Sequence, residues 1–478
     1  MKKELSIIQI NDTHGYIGSH LDLFYDDTGV SLENVGGFAR MQTIINELQR
    51  VRPTFILDNG DTFHGTYEAV QSKGLKLIPL VNTLGIQAMT FHWDTAYGPE
   101  HLKKAIGEKL NYPILAINAY EEETDKLYFD PYTILEQDGV SIGIIGIAAT
   151  IIDKTMPPHF SEGLYFTLGN EELPQYIEEL QNKDVDFIVV LSHLGFPQDV
   201  QMMKEIEGVD ICLSGHTHNR LSEPVQIGET TIIQSGSQGA FIGRLDLIIE
   251  DKKILELDHS LIRLTEDVSE DHKMKVLVEE ITTPHEEKLA EVIGHTDAIL
   301  HRGWNTESTM DNFLLEAIQQ ETNSDLVFSN GWRYGAPVDA GPITLRQLHQ
   351  IIPVNPPIST VEMSGREIYD MLEENLERTY SADPYQQMGG YVKRSLGLKI
   401  FFKAENPKNY RIQKLLIKNE PIDMEKIYSV SYVTNQGVPK KYGKNHKNLD
   451  IHAIEALRNF LKNKDVYHPQ LFGTFELI

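Results

Sequence analysis

Seven side chains in the first half of the chain carry donors that bind metals. They are Asp12 and His14 in "NDTH", Asp61 in "DNGDTFHG", His92 in "FHWD", His193 in "LSHLG", and His216 with His218 in "GHTH". Neutral imidazoles and carboxylates suit divalent Mn, Zn or Fe and do not choose among them. Seven donors exceed the needs of one tetrahedral ion. Two divalent ions that share a carboxylate use them economically, and Asp61 is the natural bridge. Residues i and i+2 of an extended segment point the same way, so Asp12 and His14 are expected to reach one centre, and His216 and His218 likewise. A single Asp-x-His or His-x-His occurs often by chance. Five such elements in order, each behind an apolar run, predict a dinuclear metal site.

Those donors need a scaffold that brings five distant loops to one place. The runs "LSIIQI", "TFILD", "PILAIN", "SIGIIGIAA", "DFIVVLS" and "DICLSG" are rich in β-branched residues and bounded by turn residues. Between them, "GFARMQTIINELQRV", "GPEHLKKAIGEKL", "ELPQYIEELQNK" and "VQMMKEIEGV" carry the helical period. This alternation predicts an α/β layered domain, in which ligands at the carboxyl ends of the strands share one crevice. The run "EQDGVSIG" puts an Asp-Gly turn between two strands, so the sheets are not purely parallel. Further on, the charged "TEDVSEDHKMKVLVEEITTPHEEKLAEVIG" predicts a linker helix over 266–294. It separates a catalytic domain, 1–265, from a second α/β domain, 295–478, with its own Gly- and Pro-rich loops.

Composition narrows the partners. The 478 residues are 41% hydrophobic and 24% charged, the profile of a globular chain too long for a single ordinary core. A net charge of −27, without a strong basic patch, argues against nucleic acid as a partner. The single cysteine, Cys212, excludes an internal disulfide. The opening "MKKELSIIQINDTHG" is too short and mixed for a signal peptide, and no run approaches a membrane span. A cytoplasmic location, without a membrane partner, is the expectation. The charge says nothing of oligomeric state.

The order Asp-x-His, Gly-Asp-x-x-x-Gly, a loop ending in Tyr97-Gly98, "SHLG" and "GHTH" resembles the calcineurin-like metallophosphoesterases, specifically the bacterial 5′-nucleotidase family. In the second half, "NTESTMDNFLLEAI", "SNGWRYG", "IIPVNPPISTVEMSG" and "YSVSYVTNQG" resemble that family's C-terminal domain. The resemblance implies a four-layer αββα metallophosphoesterase domain with a second α/β substrate-binding domain. One ion would take Asp12, His14, Asp61 and His218; the other would take Asp61, His92, His193 and His216. The implied reaction is hydrolysis of a phosphomonoester, most simply a nucleotide, by water activated between two divalent ions. Hydrolysis of 2′,3′-cyclic nucleotides or nucleotide-sugars on the same metals is the nearest alternative.

The chain also departs from the family. Its members carry Gly-Asn-His-Glu-(Phe)-Asp-Tyr-Gly at the loop spanning 91–98. Here the metal-binding Asn becomes His92, the charge-stabilising His becomes Trp93, the Glu becomes Asp94 and the orienting Asp becomes Ala96. An indole can donate one hydrogen bond but cannot carry a proton or a positive charge. His92, Trp93, Asp94 and Asp61 are therefore the candidate catalytic group, with His64 as a possible replacement cation. The His-Trp-acid loop is similar to that of a sub-branch containing the thiosulfohydrolase of bacterial sulfur oxidation, which makes a thiosulfohydrolase-like reaction a second expectation. A metal-binding sensor with weakened turnover is a third. The family's aromatic nucleobase clamp is missing, with Val354 where one phenylalanine belongs. Trp332, Tyr334, Tyr385 or Tyr432 could stack instead. By resemblance, Asn330 and Arg333 in "NGWR", and more weakly Arg302, would bind substrate.

Overall fold

The computed structural model describes residues 2–27, 29–331, 335–389, 391–462 and 464–478. The chain divides into two units, Met1–His20 with Asn34–Pro284, and Leu21–Glu33 with His285–Ile478. The hairpin of His20–Asp26 and Gly29–Val35 thus falls largely in the second unit, although it lies early in sequence. The helix His272–Leu289 is the one expected as a linker; the units divide within it, beside Pro284.

The first unit is built on two sheets. One orders its strands Lys253–Arg263, Phe241–Glu250, Lys3–Ile10, Thr54–Asp58 and Ala88–Met89. The other runs Val225–Ile227, Thr230–Ile233, Ile211–Ser214, Phe187–Ser192, Val140–Ile147 and Tyr132–Gln137. Alternation along each strand decides which layer a side chain joins. Leu5 and Ile7 face Val189, Leu191, Ile211 and Leu213 in a core shared by the two sheets. Ile8 and Ile10 turn outward, to pack with Phe38, Met41 and Ile45 of the helix Phe38–Val51. Ile188 and Val190 likewise turn outward, against Ile177 and Leu180 of Leu173–Asn182 and Met202 of Phe196–Glu205. Helix, sheet, sheet, helix is the four-layer order that the resemblance implied.

Local sequence explains the connections. Tyr132–Gln137 pairs antiparallel with Val140–Ile147 through Asp138 and Gly139, at φ 51° and 70°. Two left-handed residues make the turn that the right-handed strand twist requires, as Asp-Gly predicts. The segment "GPEHLKKAIGEKL" differs from its expected regular helix. It forms a π-turn over His101–Ile106 and a 3₁₀ turn over Gly107–Lys109. A Cβ on Gly107 would approach the Leu102 carbonyl to 3.2 Å, so the wide turn leads into a point of close backbone approach.

The second unit has a five-stranded sheet, ordered Arg394–Leu396, Leu326–Ser329, Ile427–Tyr432, Pro357–Ser364 and Lys444–His452. A four-stranded sheet contains Leu398–Phe402 and Ile412–Ile417. Phe328, Ile400, Phe402 and Val430 pack there with Ile368, Leu372 and Leu376 of the helix Gly365–Tyr380. That helix starts at a capping box, Ser364 and Glu367 each satisfying the other's backbone N–H.

Buried amides of Gln9 and Asn59 tie the two sheets of the first unit together, and Gln9 Nε2 donates to the Ser214 carbonyl (2.8 Å). Asn59 Nδ2 donates to the carbonyls of Ser192 (2.8 Å) and Leu213 (2.7 Å), and its Oδ1 accepts from Gln9 Nε2 (2.8 Å). Asn59→Ala leaves those groups unpaired in a site without solvent, so it should cost about 3 kcal/mol of unfolding free energy, measured by urea titration.

Candidate metal centre

All seven expected donors meet at one end of the two sheets. Asp61, His92, His193 and His216 offer ligand atoms that lie within 4.8 Å of one another, and Asp12, His14 and His218 form a second such group. Asp61 stands between the groups. Its Oδ2 is 3.3 Å from His92 Nδ1, 3.3 Å from His193 Nε2 and 3.7 Å from His14 Nε2. Asp12 Oδ1 lies 3.3 Å from His218 Nε2 and 3.6 Å from His193 Nε2.

The backbone that achieves this is not extended. Asp12, His14, Asp61, His216 and His218 have φ of 50°, 47°, 57°, 70° and 57°. Left-handed conformation costs a non-glycine residue roughly 1–2 kcal/mol, although Asp and His tolerate it better than most. The i and i+2 argument from extended geometry is therefore corrected. Asp12 and His14 do share a group, but His216 and His218 belong to different ones, because left-handed backbone at both residues replaces the extended geometry in which i and i+2 point the same way.

Hydrogen bonds hold the strain in place. Asp12 N–H donates to the Gly60 carbonyl (3.0 Å) and His14 N–H to the Asp61 carbonyl (2.7 Å), which couples two ligand loops. The His216 N–H donates to Asp12 (3.0 Å), and Asn11 Nδ2 to Asp12 Oδ2 (2.8 Å). Trp93 N–H donates to Asp61 Oδ1 (2.6 Å). Asp94 accepts from the N–H groups of Asp61, Thr62 and Phe63, each at 2.9 Å, and of His92 at 3.3 Å. Its carboxylate is spent on shaping two loops, so Asp94 acts through Asp61 and His92.

Electrostatics match a cation-binding role. Burial works to raise the Asp12 carboxyl, but His193 and His218 hold it at about 2. Burial also opposes ionisation of Asp61, yet His92, His193 and His14 keep it well below the usual range. Burial pushes the His14 imidazole down to about 4, which leaves it neutral at pH 7. His193 moves the other way: burial disfavours its charge, but Asp61 and Asp12 push it up to about 10. A cation between the carboxylates would take over that compensating charge. The donor set fits one. His193 Nδ1 donates to the Asn59 carbonyl (2.6 Å), which fixes the tautomer and turns Nε2 inward. Nε2 of His193 and Nε2 of His92 are both buried without a hydrogen bond.

Trp93 packs by its indole against Phe160 at 5.5 Å and His64 at 5.0 Å between centroids. His64 is 1% exposed, and burial pushes its imidazole down to about 3, so it cannot supply a cation at neutral pH. The sequence reading missed three supporting residues. Asn59 and Asn11 directly precede ligand motifs, a signal that was available. Asp199 had none: from the helix Phe196–Glu205 it accepts the hydroxyl of Ser192 (2.6 Å), the residue before His193.

In the second unit, Asn330 Nδ2 lies 3.5 Å from Gln436 Oε1. Trp332, Arg333 and Tyr334 lie outside the described residues. Arg302 is 9% exposed, with Nε on Asp311 (2.9 Å) and Nη2 on the Ile351 carbonyl (2.8 Å), so its guanidinium is engaged by the protein. Tyr432 is buried with its hydroxyl on His446 Nδ1 (2.8 Å), a packing residue and not a stacking platform. Lys393 is buried, with Nζ on the Gln436 carbonyl (2.5 Å), and burial pushes its ammonium down to about 7.

Comparison with known proteins agrees with this geometry. Residues 5–220 match the family model of the calcineurin-like phosphoesterases, and 290–437 match that of the 5′-nucleotidase C-terminal domain. The chain belongs to the calcineurin-like phosphoesterases that carry a 5′-nucleotidase C-terminal domain, a family of metal-dependent hydrolases. It is 23% identical over 87% of its length to the trifunctional nucleotide phosphoesterase protein YfkN of Bacillus subtilis, of which it spans only 30%. The fold superposes on the sulfate thiohydrolase SoxB of Thermus thermophilus with a TM-score of 0.92, at 20% identity, covering 100% of this chain and 97% of the other. It superposes on a 5′-nucleotidase precursor, also from Thermus thermophilus, with a TM-score of 0.88, at 23% identity, covering 99% of each.

Two outcomes follow. Asp94→Ala frees four backbone N–H groups around Asp61 and His92, so metal affinity should fall about 10- to 100-fold, read as metal retained after dialysis against a chelator series. Lys393 sets a pH dependence. Its folded pKa of about 7 lies below the ordinary 10.5, so folding is unpenalised above 10.5, and stability is lost as pH falls towards 7. Lys393→Met should remove that slope: relative to the parent it should gain on the order of 4 kcal/mol more at pH 7 than at pH 10.5, by urea titration.

Proposed function

We propose that the protein is a dimetal phosphomonoesterase acting on nucleotides. The observation that carries the reading is the pair of donor groups with Asp61 between them, held in strained loops at one end of a phosphoesterase fold. Asp12, His14, Asp61 and His218 would hold one cation, and Asp61, His92, His193 and His216 the other. Mn, Zn and Fe all suit these donors. When bound, the cations supply Lewis acidity towards a phosphoryl group and a nucleophile from water at neutral pH.

The chain's own residues do the rest. Neutral His14 presents a lone pair, and His193, with Nδ1 on the Asn59 carbonyl, turns Nε2 inward, where it would present one when a cation takes over the compensating charge. The Trp93 N–H fixes one Asp61 oxygen, so the other faces the imidazoles. The Trp93 indole, with Phe160 and His64 behind it, adds an apolar wall where the family places a charge-stabilising histidine. Asn330, Arg333 and Trp332 would contact the nucleotide, and Arg302 would brace the loop that carries them. A cytoplasmic site of action suits a chain with one cysteine, buried Cys212. Among the described residues, no helix is long and apolar enough to cross a membrane.

Trp93 favours one second reading, a hydrolysis on the same metals at a sulfur centre, as the fold's likeness to a sulfate thiohydrolase allows. The two separate cleanly in a substrate panel. Metal-reconstituted protein should release phosphate from AMP, and Asp61→Ala should lower that rate by at least about 1000-fold, equal to about 4 kcal/mol of barrier. Trp93→His should raise it. Silence towards AMP and p-nitrophenyl phosphate, with sulfate released from a carrier-bound S-thiosulfonate, would establish the sulfur reaction instead. Turnover that depends on Asp61 in either assay excludes a mere sensor.

A further inference from the structure

Within the second unit, positive charge gathers in one place although the chain as a whole carries −27. Glu374 and Arg378 stand one turn apart on the helix Gly365–Tyr380, with Arg378 Nη2 on Glu374 Oε1 (2.6 Å). Lys441 reaches the same carboxylate from the loop after Tyr432, with Nζ on Oε2 (2.6 Å). Tyr442 also donates its hydroxyl to Oε2 (2.5 Å), so Glu374 already holds three donors. Lys393 lies beside this group, 6% exposed, and the charges of Arg378, Glu374 and Lys441 all act on it. Asn375, next to Glu374 on the helix, fixes the segment that carries it. Its Oδ1 accepts the Lys393 N–H (2.7 Å) and its Nδ2 donates to the Tyr391 carbonyl (2.9 Å). Among the described residues, the Lys393 side chain finds one acceptor, the Gln436 carbonyl (2.5 Å).

An ammonium carries three donors, and a buried one needs acceptors and opposite charge around it. With Lys393 charged, three cations share one carboxylate, an excess of two positive charges. The side chains of Arg378 and Lys441 are 32% and 57% exposed, so the cluster is reachable from solvent. From this arrangement we propose that Lys393, Arg378 and Lys441 form a binding site for a tetrahedral dianion, inorganic phosphate or sulfate. Such an ion supplies the acceptors that Lys393 lacks and two negative charges that balance the excess. Arg378 contributes a planar fork suited to oxyanions. Phosphate and sulfate are the products of the two hydrolyses weighed above, but the site needs neither reading in order to bind them. Burial, with Arg378 and Lys441 in support, pushes the Lys393 ammonium down to about 7, so an arriving dianion must also recharge it. Binding above pH 7 is therefore coupled to proton uptake.

The test titrates sulfate and, separately, inorganic phosphate into the full-length metal-loaded protein by isothermal calorimetry. The metal centre can take an anion of its own, so the second-unit site is read as the binding that Lys393→Met removes. The parent should bind one more anion than that variant, which is expected to fold more stably than the parent at pH 7. Arg378→Gln, on the surface, should weaken the extra anion about tenfold. Sulfate does not titrate near neutrality, so its proton uptake, read in buffers of different ionisation enthalpy, reports Lys393. The parent should take up about 0.9 proton per sulfate at pH 8 and about 0.1 at pH 6. Lys393→Arg should keep the extra anion and lose the proton uptake, a signature that a merely structural lysine would not give. Equal stoichiometry in the parent and Lys393→Met, or an extra sulfate bound at pH 8 without proton uptake, would overturn the site. Absence of AMP hydrolysis would sink the nucleotidase reading and leave these titrations unaffected.

Discussion

Two buried carboxylates inside a shell of five histidines are the constraint around which the first unit is organised. Asp12 and Asp61 are 0% and 2% exposed, and each raises the other's cost of ionisation. A crevice that excludes water cannot hold two such charges unless opposite charge comes close. The fold answers with His14, His92, His193, His216 and His218 from four different loops. Five of the seven donors, three of the imidazoles and both carboxylates, take left-handed backbone in these loops. The strain is tolerated because the loops hydrogen-bond to one another: Asp12 to Gly60, His14 to Asp61, His216 to Asp12. The four layers beneath supply the rigidity that such a cost requires.

Much of this was legible in residues alone. Apolar alternation gave the sheets their strands, "QDG" gave a hairpin with two left-handed residues, and the seven donors announced themselves by type and order. What stayed hidden is what depends on three-dimensional return paths. Nothing in "NDTH" or "GHTH" states that its backbone is left-handed, and an extended reading put His216 and His218 on the same centre when they lie in different groups. Asp94 looked like a member of a reacting group, and only its four hydrogen bonds to backbone show that it shapes the loops instead. Residues 21–33 group with the second unit although they lie between two elements of the first, and no local pattern encodes such a crossing.

Arginine illustrates the same limit from the other side. Exposure is the ordinary state of an arginine, so sequence offers Arg302 either as a solvated residue or as a substrate fork. The structure shows a third state. Arg302 and Arg394 share Asp311, one on each carboxylate oxygen, and spend their remaining donors on the carbonyls of Ile351, Trp304 and Asn305. Two positive charges on one buried carboxylate would be costly if left unpaired, and the carbonyls complete the pairing. The result ties the segments at Trp304–Asn305 and at Ile351 to one buried carboxylate.

The loop 91–98 shows how a site can change its chemistry while its frame stays intact. Its two functions are separable because different atoms perform them. Backbone and carboxylate, through the Trp93 N–H and Asp94, hold Asp61 and His92 where a metal needs them, and these contacts do not depend on the indole. The side chain at residue 93 is therefore free to vary without loss of the metal frame. An imidazole there can carry charge to a reacting group, whereas the indole offers an apolar face packed on Phe160 and His64 and at most one hydrogen bond. With Ala96 buried in the same core, no carboxylate remains at that position to orient a cation. The loss of both partners together is what the physics of a coupled pair demands, since a buried acid without its imidazole would only add an uncompensated charge to a crevice that already holds two.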